Sequence, residues 1–256
     1  MVFPRATSIA VLAALLLDCC AKQPAPADKL TVAAAANLMD VFGEVGRVFD
    51  SQTGMHVVFS YGSTVALSQQ IDNGGPFDLF VAADTEHVDS LVSNRRVIAD
   101  SRAVYAVGQL ALWIPKGGQS GIRELKDLTG KQIRFIAVAQ PELAPYGKAT
   151  IEALKNAGIW EAVRPKAVYA NNISQARQMA ASGNADAAFT AYSLLLHDKG
   201  TVLKIDPHLY HPIEQAIAIV AASPRIDGAQ RFRSFLLGPE GRAILLKNGY
   251  LVPMAK

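Results

Sequence analysis

Short apolar runs alternate with helix-length amphipathic segments along most of this chain, and that alternation constrains the fold more than any other feature. "KLTVAAAANL" reads as a buried strand that ends where Asn37 can cap a helix. Leu38, Val41, Phe42, Val45 and Phe49 then recur at helical spacing, which predicts a helix over 38–53. "HVVFSYG" is a second strand, followed by a helix from about Val65 to Asn73. "DLFVAAD" is a third, ending near Asp84, and "TEHVDSLVSN" a short helix after it. Strands apolar on both faces, in strand–helix order, predict a mostly parallel sheet flanked by helices.

"AVGQLALWIPKG" is long enough to leave one lobe and enter another. A second series follows: strand "RFIAVAQ", helix "YGKATIEALKNAG", strand "PKAVYA", helix "ISQARQMAASG" and strand "ADAAFTAY". "IEQAIAIVAA" can carry the chain back, and "AQRFRSFLLGPEGRAILLKNGY" reads as a helical pair. The expected fold class is α/β in two lobes, residues 28–108 plus 217–256 and residues 109–216, with a ligand cleft at the hinge between them. Half of the 256 residues are hydrophobic, enough to give each lobe its own core.

Residues 1–27 are expected to be a signal peptide and linker. Arg5 precedes an apolar run, Ile9 to Leu17, too short for the roughly 20 residues of a membrane-spanning helix but suited to secretion. Ala25-Pro26-Ala27 before Asp28 offers a cleavage site. The alternative is a lipoprotein signal with Cys19 or Cys20 diacylated, although Asp18 or Cys19 stands where a small residue is usual. Either way the domain is exported to the periplasm, free or lipid-anchored. Both cysteines fall in the leader, so the mature domain has no disulfide, cysteine–metal site or thiol nucleophile. The net charge of +3 is spread along the chain without a basic run, so nucleic acid is not an expected partner.

Four strand ends lead into helices through small, neutral, hydrogen-bonding residues: "AAAANL" at Asn37, "YGSTVAL" at Ser63 and Thr64, "PELAPYG" at Tyr146, and "YANNISQ" around Ile173. Ligands of parallel α/β sheets bind at such ends, where free N–H groups and helix dipoles favour an anion. A fully deprotonated oxyanion needs only donors, whereas a protonated phosphate also needs an acceptor. Only Glu142 adds a carboxylate near these tips, so they favour a tetrahedral dianion. For any one turn, simple helix capping accounts for the same residues.

Other candidates are weaker. Asp78 and Asp84 flank a strand as a carboxylate pair or as solvent-facing strand ends. His208 and His211 in "DPHLYHP" have a metal-like spacing without a third ligand. There is no G-x-S-x-G, H-E-x-x-H or G-x-x-x-x-G-K-[ST], so binding rather than catalysis is expected. An extracytoplasmic enzyme using Ser63 or Tyr146 on a small acid is the alternative from another class.

Taken in order, "LTVAAAANL", "FSYGSTVALSQQI", "GGPFDLFVAAD", "LALWIPKG", "PELAPYGKATIEAL", "NADAAFTAYS" and "GPEGRAILLKNGY" resemble the periplasmic molybdate-binding proteins that feed ABC transporters. The resemblance covers roughly residues 29–254. It implies a two-lobed type II binding-protein fold closing around molybdate or tungstate through hydrogen bonds alone, with no cofactor and no metal beyond the oxyanion itself. It implies first-lobe ligands Asn37, Ala36 through its backbone, Ser63 and Thr64, and second-lobe ligands Tyr146 and the backbone N–H of Ile173. Some members use a tyrosine in the strand matching "AAFTAYS", where this chain has Thr190, with Tyr192 two residues on. Val65 replaces a glycine common after the first-lobe hydroxyls. The implied partner is an ABC permease, with the receptor a monomer. Sulfate or another tetrahedral dianion is the near alternative ligand.

Overall fold

The computed structural model describes residues 29–118 and 121–253. The leader, its cleavage site and the lipidation candidates Cys19 and Cys20 lie outside the described residues. Among the described residues, no helix is long and apolar enough to cross a membrane.

The first series comprises β1 (Lys29–Ala35), α1 (Met39–Thr53), β2 (His56–Gly62), α2 (Thr64–Asp72), β3 (Leu79–Val81), α3 (Glu86–Ser93) and β4 (Ala103–Gly108). Gln109 alone separates β4 from β5 (Leu110–Pro115). The second series continues with β6 (Ile136–Ala139), α4 (Pro145–Asn156), α5 (Trp160–Val163), β7 (Ala167–Ala170), α6 (Ile173–Ala181), β8 (Ala187–Ala191) and β9 (Gly200–Lys204). The chain returns as β10 (Ile213–Ile219) and closes with α7 (Ile226–Leu237) and α8 (Pro239–Lys247).

Two five-stranded sheets result, ordered β2-β1-β3-β10-β4 and β7-β6-β8-β5-β9. In the first, β1 is parallel to β2 and β3, while β10 is antiparallel to β3 and β4, so β10 alone opposes the other four strands. The second sheet repeats this plan with β5 as the opposed strand. Each opposed strand arrives directly from the other lobe. Parallel neighbours need a crossover connection, whereas a direct arrival at the hinge can run antiparallel. The remaining strands therefore point their carboxyl ends at the cleft.

The return differs from the expected boundary at 217. Ile213 already pairs with Gly108 and Ala216 with Val104, so residues 213–216 belong to the first sheet. These residues open the strand expected at "IEQAIAIVAA", with Glu214 exposed and Gln215 wholly buried.

Helix α1 buries Val41, Phe42, Val45 and Phe49 and stops at Gly54, whose φ of 69° is the left-handed geometry that glycine adopts without penalty. Phe42 packs on Phe59 and Phe49 on Phe232, each with ring centroids 5.2 Å apart. Such pairs add about 0.5–1.5 kcal/mol beyond area burial. Because Phe232 lies on α7, this cluster ties the C-terminal helices to the first lobe.

Candidate functional site

Strand ends position the site. β1 runs into one 3-10 turn, Ala36–Leu38, before α1. β2 leads into α2 with Ser63 at the cap. In the second lobe α4 opens with Pro145 at its first turn, and Asn172 caps α6 by accepting the Gln175 N–H at 3.0 Å. Four helical N-termini thus converge, two from each lobe. Their first N–H groups have no acceptor within the helix, and their dipoles add a positive field.

Between them lies a small cavity of about 210 Å³ including its mouth. Ala36, Asn37, Ser63, Thr64, Tyr146 and Ile173 all line it. Among the described residues, no charged side chain of either sign does. Glu142 is exposed and lines a neighbouring outer groove instead, with Glu86, His87 and Lys148.

Three hydroxyls at the cavity already accept a hydrogen bond from the protein. Ser63 Oγ accepts from Ala66 N–H at 3.4 Å, Thr64 Oγ1 from Ala83 N–H at 3.1 Å, and Tyr146 Oη from Gln215 Nε2 at 3.0 Å. Each therefore keeps its own proton to donate. Tyr146 is 1% exposed, and burial pushes its hydroxyl pKa well above the usual tyrosine value, which keeps it a neutral donor.

Asn37 does not cap a helix through its side chain. Its Nδ2 donates to Gln215 Oε1 at 2.9 Å and to the Tyr250 hydroxyl at 3.0 Å, so both amide hydrogens are engaged within the protein. The donor left for the cavity is the backbone N–H, in the first turn of a short helix. The hydroxyl of Tyr250 in turn donates to the Asn37 carbonyl at 2.8 Å.

The lobes touch around the cavity. Ser174 Oγ donates to the Ala36 carbonyl at 2.9 Å, and Val65 N–H to the Leu143 carbonyl at 3.3 Å. Val65, standing where a glycine is common in the family it resembles, thus gives its N–H to the opposite lobe. Lys148 pairs with Glu86 across the neighbouring outer groove at 3.3 Å.

Several candidates fall elsewhere. Thr190 is wholly buried behind Ile173, donating to its carbonyl at 3.4 Å, and is not among the cavity-lining residues. Tyr192 packs under the Lys204 ammonium, 3.8 Å from its ring centroid. Asp78 and Asp84 do not form a pair: buried Asp78 accepts from Thr31 N–H and Ser223 Oγ, each at 2.7 Å, while Asp84 holds the His87 ring at 2.8 Å. His211 faces Glu152, and among the described residues no group of three or more His, Cys, Asp or Glu side chains is placed to hold a metal ion.

Sequence reasoning passed over Gln215, Tyr250, Tyr105 and Ser193, the buried groups behind the cavity. One signal was available: alternation through Ile213, Gln215 and Ile217 puts a lone amide on an apolar strand face. Nothing local marks the other three.

Residues 30–251 match the model of the family described as Bacterial extracellular solute-binding protein. The chain is 33% identical over 254 residues to the Molybdate-binding protein ModA of Azotobacter vinelandii, covering 98% of this chain and 99% of that one. It is 32% identical over 247 residues to ModA of Rhodobacter capsulatus, covering 96% and 95%. The solved structure of the Azotobacter vinelandii periplasmic molybdate-binding protein matches with a TM-score of 0.84 at 31% identity, over 88% of this chain and 100% of that one. Two sheets of one plan, a cavity at their facing strand ends and a family match spanning nearly all of the described residues agree: this chain belongs to the bacterial extracellular solute-binding proteins.

Proposed function

We propose that this chain is an exported receptor that binds molybdate or tungstate in the interlobe cavity and delivers it to the permease of an ABC transporter. One observation carries the reading: uncharged donors from both lobes converge at four helix N-termini, with no carboxylate and no cation on the cavity wall among the described residues. Stripping water from a dianion is costly unless every oxygen regains hydrogen bonds, and bonds to a charged acceptor are the strong ones. Candidate donors are the backbone N–H groups of Ala36, Asn37, Thr64 and Ile173 and the hydroxyls of Ser63, Thr64 and Tyr146. That two relatives are named molybdate-binding proteins supports molybdate rather than sulfate as the ligand in this reading.

An anion bonded to both lobes stabilises the closed arrangement over an open one by its differential affinity, which is how a permease could tell loaded from empty receptor. In this reading the lobes are 29–108 with 213–253 and 110–204, and the receptor works as a monomer outside the cytoplasmic membrane. Ser63 has the Ala66 N–H as its partner rather than a histidine or lysine, which supports binding without a catalytic step.

Isothermal titration with molybdate, tungstate, sulfate and phosphate tests the reading. Tight binding of the first two alone supports it. Silence from all four would overturn it.

A further inference from the structure

The Asn37 carbonyl is an obligate acceptor, and it sets the direction of a buried chain of hydrogen bonds that ends at the cavity. Tyr250 Oη lies 2.8 Å from that carbonyl, closer than Ser193 Oγ at 3.4 Å, and commits its one proton there. It must then accept from the Asn37 side chain at 3.0 Å, which identifies the amide atom facing it as Nδ2, and from Ser193 Oγ at 3.0 Å. The same Nδ2 is 2.9 Å from Gln215, so Gln215 presents Oε1 there. The Tyr105 hydroxyl stands between that oxygen at 2.8 Å and the Ala82 carbonyl at 3.1 Å, and the shorter contact is the one to Gln215. The other end of Gln215, Nε2, therefore donates to Tyr146 Oη at 3.0 Å. With that face of its oxygen occupied by a donor, Tyr146 turns its proton towards the cavity.

We propose that Gln215 is a specificity-determining positioning residue: by donating to Tyr146 it makes that hydroxyl, like those of Ser63 and Thr64, a one-way donor, so that the Tyr146 side of the cavity offers no acceptor for the proton of hydrogen phosphate and favours tetrahedral dianions without one. The proposal rests on the oxyanion reading above. A protonated ligand oxygen facing Tyr146 would set proton against proton and leave a buried donor unpaired. The placement of Gln215 suits this task. It is wholly buried on β10, at the register shift between Gln215 and Ala216, where a bulge re-aims a side chain. Burial keeps Tyr146 protonated, so the direction of donation holds across the neutral and alkaline range.

The test is calorimetry of the protein with sodium molybdate and inorganic phosphate at about pH 8, for the parent, Gln215→Glu, Gln215→Met and Tyr146→Phe. In Gln215→Glu the carboxylate accepts a hydrogen bond from the Tyr146 O–H, and the hydroxyl shows a lone pair to the cavity. Molybdate affinity should then fall by about 100-fold and the molybdate-to-phosphate ratio by at least about 10-fold. Gln215→Met, of similar volume, frees the hydroxyl rotor and should lower the ratio by a smaller factor. Combined with Tyr146→Phe, it should lower the ratio no further. A merely structural role would weaken both ions by one factor, or add fully in the double variant, and either result overturns the proposal. If the parent binds molybdate and the variants keep its selectivity, only the role of Gln215 fails. If the parent binds neither ion, the oxyanion reading fails and takes this proposal with it.

Discussion

The Ser174 hydroxyl, in the first turn of α6, donates across the cleft to the carbonyl of Ala36, 2.9 Å away. It joins the lobes beside two proposed anion donors, Asn37 and Ile173, without pointing at the anion itself. A neutral hydrogen bond of this kind is worth about 0.5–1.5 kcal/mol net. Ser174→Ala should therefore weaken molybdate binding by roughly 2- to 10-fold. The loss should fall on the dissociation rate, measured by stopped flow, because the bond forms only once the lobes meet.

Thr64 has two tasks that one pair of substitutions separates. Its Oγ1 accepts the buried Ala83 N–H at 3.1 Å, and its proton is free for the cavity. Thr64→Val keeps the shape but loses both, so titration should show binding roughly 10- to 100-fold weaker. Melting should show a loss of about 1–3 kcal/mol from the unpaired N–H. Thr64→Ser should preserve most of each.

Gly108 ends β4 at the hinge, and a Cβ there would fall on the Tyr146 hydroxyl and the Gln215 amide nitrogen. Gly108→Ala should cost about 1–3 kcal/mol in denaturant unfolding through overpacking. It should also displace Tyr146 and reduce molybdate affinity more than Ser174→Ala does.

His87 donates no proton to the anion but its charge bears on stability. The bond to Asp84 raises its pKa above the ordinary histidine value, outweighing partial burial. A raised folded pKa means that the stabilisation is complete below the unfolded value and is lost as pH rises through the folded one. His87→Gln should therefore lower the melting temperature more at about pH 5.5 than at about pH 8.5. An equal loss at both would show that the pair does not titrate as described.

Binding itself should be flat with pH from neutral to about pH 9, because every proposed donor is a backbone N–H or a neutral hydroxyl. Tyr146 is the only one with an accessible proton loss, and burial moves that loss to higher pH. A titration series showing a decline across this interval would point to a charged donor instead.

Much of the fold was legible because its signals are local. Helical spacing of Val41, Phe42, Val45 and Phe49 marks α1, and Ser63 after Gly62 marks the start of α2. The six residues carried into the site by resemblance all line one cavity, since each stands at a strand end that the parallel topology points inwards. The strand at "IEQAIAIVAA" was legible too, and it is β10. The point where the first lobe resumes was not, because the pairing of Ile213 with Gly108 sets it.

The sequence by itself determined which groups can donate at the cavity and which helix ends present them. Only the tertiary structure decided which of those donors remain available. Asn37 looks like a cap or a ligand from its neighbours, but Gln215 and Tyr250, 178 and 213 positions away, take both of its amide hydrogens. Tyr146 keeps its proton for the cavity because Gln215 approaches from behind. Residue type states what a side chain can offer. The direction of each hydrogen bond is set by partners that meet only when distant strands pair.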